Sequence, residues 1–437
     1  MSTSLHSWGN YPHEPQTAYN CNWRDDIACQ LSHITKIHSD TLAYGNGRSY
    51  GDSCLANSNQ VLDMRGLNRF IQADWQNGRL LAEAGVTLAD ILAVAVPKGW
   101  FLAVTPGTQF VTLGGAVAND VHGKNHHLRG TFGKHVRRFG LVRHEQGTLI
   151  CSPTENPQLY TATIGGLGLT GIISWVEIQL IPIRASQIDT VTVRFDNLAE
   201  FFTLSAELDH QHEYSVAWID CLAKGPNTGR GVFVVGDHAP YGSLEIEQRS
   251  KLSVPITLPF SMINNASLHA FNEAYWRLHP NRRTIGRASY EPFFYPLDRI
   301  LHWNRIYGSK GFQQYQCVIP DDAAAPTMHL LLKTIADTGQ GSFLAVLKRC
   351  GDISSPGLLS FPLPGTSLAL DFPQANKLNA LFQRLDSIVH DAGGRLYPAK
   401  DAHMSGEHFR RAYPAWEELE KLRDPTLMSR FWKRVTT

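Results

Sequence analysis

The sequence predicts an α+β protein built as two domains, and three observations carry that expectation. Residues 1–186 are rich in glycine and small residues, with short strands separated by turns. From 187 to 394 the texture changes to longer alternating strands with helical stretches between them, the pattern of an antiparallel sheet. The tail from Ser405 to Val435 reads as helical and aromatic, broken at Pro414 and Pro425. It carries enough apolar side chains to dock back onto a domain.

Taken in order, Val61-Leu-Asp-Met and Leu80-Leu-Ala-Glu-Ala read as strands. Thr87 begins a helix: it is an N-cap with Asp90 three residues on, and Leu88, Ile91, Leu92 and Ala95 share one face. Pro97, Gly99 and Trp100 end it. Ile172 to Ile183 is a β-branched strand with Ser174, Glu177 and Gln179 as polar punctuation. Further strands are expected at Thr190–Phe195, Gly231–Val235, Phe312–Ile319, Phe343–Lys348 and Ser367–Phe372.

Composition narrows the function. A formal charge of +1 gives no global field for nucleic acid or another polyanion. No apolar run is long enough to span a bilayer, and Met1–Trp23 lacks the regions of a signal peptide. Seven scattered cysteines without a C-x-x-C pair point away from disulfides and zinc and toward a reducing cytoplasm.

Two segments hold the chemical signal. Ala43-Tyr-Gly-Asn-Gly-Arg-Ser-Tyr-Gly-Asp-Ser53 has three glycines in seven residues, so successive N–H groups can form a concavity for a pyrophosphate. An ordinary glycine turn is the alternative. Thr105-Pro-Gly-Thr108 and Thr112-Leu-Gly-Gly-Ala-Val-Ala-Asn-Asp-Val-His-Gly-Lys-Asn-His-His127 keep side chains small and then cluster polar groups. Such a surface lets a flat ring system lie against backbone; a packed helix with a polar end would look similar.

Rival motifs fail on context. Gly166-Leu-Gly-Leu-Thr-Gly171 fits G-x-G-x-x-G, but that fingerprint must follow a strand and open a helix. Here a helix at Pro157–Thr163 precedes it and a strand follows. There is no Walker A loop. His122 and His126 are four apart, yet Gly123 and Asn125 interrupt a helix and only Asp120 offers a third ligand, so no metal is expected.

At these loops the sequence resembles the vanillyl-alcohol-oxidase type of FAD enzymes, and within them the decaprenylphosphoryl-β-D-ribose 2′-oxidase family. The resemblance continues at 165–173, Trp303-Asn-Arg-Ile-Tyr-Gly308, Gln314-Tyr-Gln316, Ser342–Lys348 and Leu396-Tyr-Pro-Ala-Lys-Asp401. It implies an FAD-binding domain over 1–186 completed by 395–437, with 187–394 as a substrate domain.

The same resemblance implies FAD contacts from Ala43, Tyr44, Gly45, Asn46, Gly47, Arg48, Ser49, Tyr50, Gly51, Asp52 and Ser53. Others would come from Gly107, Thr112, Leu113, Gly114, Gly115, Asn119, Asp120, Val121, His122, Ile172, Ile173 and Tyr397. Many relatives attach the flavin to a histidine where this chain has Arg48, which implies non-covalent FAD. His122 and Lys400 would act at the reacting hydroxyl, and Gln314, Gln316 and Lys348 would hold the sugar and its phosphate.

Periodicity adds to this reading. Gln314 and Gln316 share one strand face, Gln313, Tyr315 and Cys317 the other. Lys348 ends an apolar strand, where a charge needs a partner or solvent. For Lys400, beside Asp401, a surface ion pair is the alternative. Two positions depart from the family: some members carry asparagine and cysteine at Ser367 and Ala369, and a phenol at Phe294.

The implied activity is oxidation of the 2′-hydroxyl of a polyprenyl-phosphate pentose to a ketone, which a partner NAD(P)H-dependent reductase would return in the opposite configuration. Oxidation of a soluble sugar, alditol or aldonolactone is a second expectation, and a flavin-less glycolipid-binding scaffold a third. Leu252-Ser-Val-Pro-Ile-Thr-Leu-Pro-Phe-Ser-Met-Ile263 is apolar and interrupted by prolines. It is either a loop touching lipid at the inner membrane face or a buried irregular segment.

Overall fold

The β-branched run from Ile172 forms the spine of a first sheet. In the computed structural model, which describes residues 5–247 and 252–437, strand Ile172–Pro182 pairs antiparallel with Arg79–Glu83 on one side and Val136–Arg143 on the other. Phe70–Asp74 and Gly147–Cys151 extend the sheet outward, and Trp100–Leu102 pairs with its far end. Beside it, Thr17–Asn20, Gln60–Asp63 and Leu42–Tyr44 form a small parallel sheet. Helix Ile27–Ile37 covers this sheet with Ile27, Leu31 and Ile34, spaced to share one face.

The capping box at Thr87 is present: its hydroxyl accepts from the Asp90 N–H at 3.2 Å, and Asp90 accepts from the Thr87 N–H at 3.0 Å. Leu88, Ile91, Leu92 and Ala95 of the helix it starts are all buried. Helix Pro157–Thr163, the 166–171 glycines and strand Ile172–Pro182 follow in that order, the reverse of a dinucleotide-binding turn.

The second sheet has eight strands, in the order Arg283–Ser289, Gln187–Phe195, Gly231–His238, Tyr214–Ile219, Ala345–Cys350, Gly365–Pro373, Phe312–Pro320 and Arg395–Leu396. Every pairing is antiparallel. One expected strand is displaced. It begins at Ala345 instead of Phe343 because the Ser342 hydroxyl bonds both the N–H and the C=O of Leu344, making a local turn. It also runs past Lys348 to Cys350, so Lys348 lies within the strand and not at its end.

Strand Phe312–Pro320 is buried almost throughout. Tyr315, Cys317 and Ile319 enter the main core, and Tyr315 donates to Asp386 at 3.0 Å. Gln314 and Gln316 point the other way, toward the cavity described below.

The tail forms helices Gly406–Ala412, Trp416–Leu422 and Arg430–Thr436, separated at Pro414 and Pro425. Phe409, Leu419, Phe431, Trp432 and Val435 are buried in the core shared with the second sheet. Bridges Thr41–Leu427 and Ala56–Ser429 tie the tail to the first segment, and Arg395–Leu396 ties it to the second sheet. Arg434 links both sites: it bonds Asp52 at 2.8 Å and Asp401 at 2.9 Å.

Segment 252–263 is not a buried irregular stretch. Leu252, Ile256, Phe260 and Met262 are between 55% and 70% exposed. Backbone bonds hold it against Trp303–Tyr307 and Ser309: Met262 N–H to the Ile306 carbonyl at 2.9 Å, and Ser309 N–H to the Leu258 carbonyl at 2.9 Å. No helix among the described residues is long and apolar enough to cross a membrane.

Candidate active site

A cavity of about 330 Å³ lies between the two glycine segments and the second sheet. The glycine segments are wedged together. Asn46 donates to the Phe110 carbonyl at 2.9 Å, and a Cβ on Gly45 would run into the Thr112 hydroxyl. That hydroxyl in turn caps helix Leu113–Ala118 by accepting the Gly115 N–H at 3.3 Å. Gly47 takes a φ of 58°, which turns the loop over.

The result is a set of donors without protein partners. Among the described residues no acceptor meets the backbone N–H of Asn46, Gly47, Arg48, Ser49, Gly107 or Thr108. Three buried polar side-chain atoms, Arg48 Nε, Ser53 Oγ and His122 Nδ1, are also unpartnered, and all three residues line the cavity. Buried polar groups are normally paired, so this surface is complementary to a large polar ligand with anionic groups. The Arg48 guanidinium stacks 4.0 Å above the Trp8 ring, and burial pushes its pKa down.

The opposite wall comes from three adjacent strands. Register places Gln314 beside Asp371, Gln316 beside Ala369, and Lys348 beside Ser367, all on one face. Gln316, Lys348, Ser367 and Ala369 line the cavity with Phe294, so both departures from the family pattern face it. Gln314 also lines it and donates to Asp371 at 2.6 Å. Burial raises the Asp371 carboxyl to about 7, although Gln314 and Lys400 favour its ionised form.

His122 sits 3.0 Å from the Gln316 amide nitrogen through Nε2, with its ring near Phe361 and Tyr397. Burial, then the charges of Lys348 and Lys400 and the neighbouring His126, hold its pKa well below the usual value. The neutral ring accepts the Gln316 N–H at Nε2 and keeps its own proton on Nδ1. His126 and His127 turn away from the cavity, His127 to the His212 carbonyl at 3.1 Å.

Lys400 is no surface ion pair. Its Nζ lies 3.8 Å over the Tyr50 ring inside the cavity, while Asp401 faces Arg434 and His403 in a separate network. Burial lowers the Lys400 pKa to about 7; Asp371 opposes the shift and Arg48 adds to it. Lys348, also expected as a solvated end in one reading, is 9% exposed and donates to the Gly123 carbonyl at 2.7 Å.

Of the residues expected at the cofactor, Ala43, Gly45, Asn46, Gly47, Arg48, Ser49, Tyr50, Ser53, Gly107, Thr112, Gly114, Gly115, Asn119, Val121, His122, Ile173 and Tyr397 line the cavity. Six lie elsewhere. Tyr44 and Ile172 alternate with Ala43 and Ile173, so they face the core; Tyr44 donates to the His6 carbonyl at 2.6 Å. Leu113 is core, and Gly51 packs on the Asp401 carbonyl. Asp52 pairs with Arg434. Asp120 is fully buried, accepting the Gly133 N–H at 2.7 Å and the hydroxyls of Ser355 and Ser360. Trp8, Lys124 and Asp298 line the cavity without having been singled out, and Asp371 stands directly behind Gln314.

A glycine-loop floor with unpaired donors, facing a wall of amides and lysines, suits a nucleotide cofactor set against a polar substrate. Comparison with known proteins agrees: residues 24–152 match the model of an FAD binding domain. The chain is 34% identical over 395 residues to the decaprenylphosphoryl-beta-D-ribose oxidase of Mycolicibacterium smegmatis, covering 87% of this chain and 85% of that one. It is 33% identical to an uncharacterized Streptomyces coelicolor protein over 77% of this chain and 95% of that one. An L-gulonolactone oxidase of Scyliorhinus torazame matches at 26% over 42% of this chain and 41% of its own. The protein is an FAD-dependent oxidoreductase and belongs to the family of the decaprenylphosphoryl-beta-D-ribose oxidase. Its chemistry is FAD-dependent sugar oxidation, which sets aside the flavin-less scaffold.

Proposed function

We propose that the enzyme oxidises the 2′-hydroxyl of a polyprenyl-phosphate-linked pentose to a ketone, the first half of an epimerisation in cell-envelope glycan precursor synthesis. One observation carries the reading: a single cavity joins the unpaired loop donors to Gln314, Gln316, Lys348 and Lys400. The donors suit the diphosphate and ring edge of FAD, which accepts a hydride when bound. Gln314 and Gln316 orient the sugar with amide donors and acceptors. His122, kept neutral, fixes Gln316 and presents an apolar-flanked ring to the substrate. Lys400 Nζ, able to be uncharged near neutrality, takes the proton from the reacting hydroxyl.

Borodeuteride reduction of the product locates the chemistry. Deuterium at pentose C2 is the expected result; deuterium at another carbon, or none, overturns the assignment. Activity confined to free alditols or aldonolactones would favour the second reading, which the gulonolactone oxidase likeness supports.

The FAD is proposed to be non-covalent, because an arginine cannot form the histidyl–flavin bond at position 48. Acid precipitation is expected to leave yellow flavin in the supernatant; flavin that pellets with the protein would contradict this.

A 2′-ketone retained on its lipid requires an NAD(P)H-dependent keto-reductase as partner. The substrate also places the enzyme at the cytoplasmic membrane face, where the exposed apolar side chains of 252–263 enter the lipid interface. Deletion of 252–263 is expected to abolish cosedimentation with liposomes and to slow turnover of long-chain substrate more than short-chain. Unchanged binding and turnover would remove the segment from that role.

A further inference from the structure

We propose a binding site for a lipid-linked phosphate ester anion between Lys124 and Lys348, which holds the substrate's phosphate while its sugar reaches Gln314, Gln316 and Lys400. The inference deepens the functional reading above and rests on it for the identity of the sugar.

The chain as a whole carries +1, yet the charged residues lining the cavity are Arg48, Lys124, Lys348 and Lys400 against Asp298. Arg48 stacks on Trp8 beside the glycine loop and Lys400 lies over Tyr50. Lys124, whose Nζ lies 5.9 Å from the Phe293 ring centroid, and Lys348 form a pair of like charges. They are joined through Gly123, whose carbonyl accepts one ammonium hydrogen of Lys348 at 2.7 Å. Lys348 is 9% exposed and keeps two ammonium hydrogens unspent.

Two nearby carboxylates are already engaged, and Asp371 of the adjoining strand faces Gln314 and Lys400. Glu213 pairs with Arg129 at 2.8 Å, and Asp237 with His212 at 2.6 Å. Burial lowers both lysines to about 8, and the charge of Lys348 adds to the shift on Lys124. Two neighbouring ammonium groups, Lys348 buried and Lys124 half-buried, repel one another, and an anionic ligand removes that penalty. Lysine point charges suit phosphate oxygens without demanding one fixed fork geometry.

The surroundings select the kind of phosphate. Val216, Phe294, Leu344 and Val346 line the cavity with the two lysines, an apolar wall suited to a hydrocarbon chain on the same phosphorus. The diphosphate of FAD has its own donors in the loops at 46–49 and 107–108. A substrate phosphate and the cofactor diphosphate are therefore separable by experiment.

The test titrates FAD-loaded enzyme with farnesyl phosphate, following the flavin absorption bands, with farnesol as the uncharged control. Lys124→Met and Lys348→Met should each weaken farnesyl phosphate binding by about tenfold or more, as expected for a charge-assisted contact. Farnesol binding and FAD content should not change, and Lys124→Arg should restore most of the affinity. The Lys124→Met variant should also melt no lower than the wild type, because it removes one of two repelling charges. Equal farnesyl phosphate affinity in wild type and Lys124→Met would overturn the site. So would a loss of FAD with no loss of phosphate discrimination, since the lysines would then serve the cofactor. Lysine-dependent farnesyl phosphate binding in an enzyme that fails to oxidise a lipid-phosphate pentose would keep the anion site and refute the sugar assignment instead.

Discussion

Replacing Lys400 with methionine should lower kcat/KM by about a thousandfold while the protein retains its flavin, the scale on which a positioned acid or base acts. The expectation comes from where the amine sits. Its Nζ is 3.8 Å above the Tyr50 ring, inside the cavity, and burial brings its pKa to about 7. The neutral amine is the proton acceptor, so the active form accumulates above that value. In the wild type kcat/KM should therefore fall about tenfold per pH unit below 7 and level off above it. Lys400→Met should lose that acid limb. Steady-state rates from pH 5.5 to 9, with flavin absorbance as the control for occupancy, check both points. A residual limb of the same midpoint in the variant would assign the proton to another group, and Asp371 would be the first to examine.

The second large effect concerns a residue far from the chemistry. Arg434→Gln should destabilise the protein by about 3 kcal/mol, the scale of leaving buried carboxylates without their cationic partner. Arg434 reaches from the last helix to Asp52 at 2.8 Å and Asp401 at 2.9 Å. Asp52 closes the first glycine loop, and Asp401 adjoins Lys400. Both carboxylates are at most 4% exposed.

The pH dependence of that loss has a definite sign. Burial opposes ionisation of Asp401, but His403 and Arg434 outweigh it and hold its pKa below the ordinary aspartate value. A depressed carboxylate contributes stability above its unfolded pKa and loses it as pH falls through the folded one. The gap between wild type and variant should be full at pH 6 to 8 and should close below about pH 4. Asp52 works the other way, because burial leaves its pKa raised in spite of Arg434. Arg434 nevertheless favours ionised Asp52, so the share of the gap carried by Asp52 fades at a higher pH than the share carried by Asp401. Denaturant midpoints across that range, with flavin content measured in parallel, provide the test. A variant as stable as the wild type would show that the tail is held by its apolar core alone.

Much of the fold was legible because it depends on local rules. The Thr87–Asp90 capping box, the β-branched run at Ile172 and the helix-before-strand order around 166–171 all follow from short-range pattern. The start of the strand at Ala345 was not, because a single serine hydroxyl diverts the two residues before it. In the site, the glycine loops could be found as segments, but which members face the cavity could not. Period two decides Ala43 over Tyr44 and Ile173 over Ile172, and only the fold says which phase is inward.

Asp371 carried a readable signal, a carboxylate within an apolar strand, the same one that marked Lys348. Lys124 stood inside a recognised motif without any local reason to prefer it. The low pKa of Lys400 could not be foreseen at all. It depends on Tyr50 and Arg48 arriving from a distant part of the chain, the ring to help bury the amine and the guanidinium to add to the shift.

In the proposed reaction this cavity passes a hydride from a lipid-phosphate pentose to FAD. Anaerobic mixing of the flavoprotein with farnesyl-phosphoryl ribose, watched in the flavin absorption bands, tests it most directly. Bleaching of the oxidised bands in a single turnover, with the ketone formed in equal amount, is the predicted result. Bands that stay unbleached with that substrate, but bleach with a free alditol or aldonolactone, would contradict it.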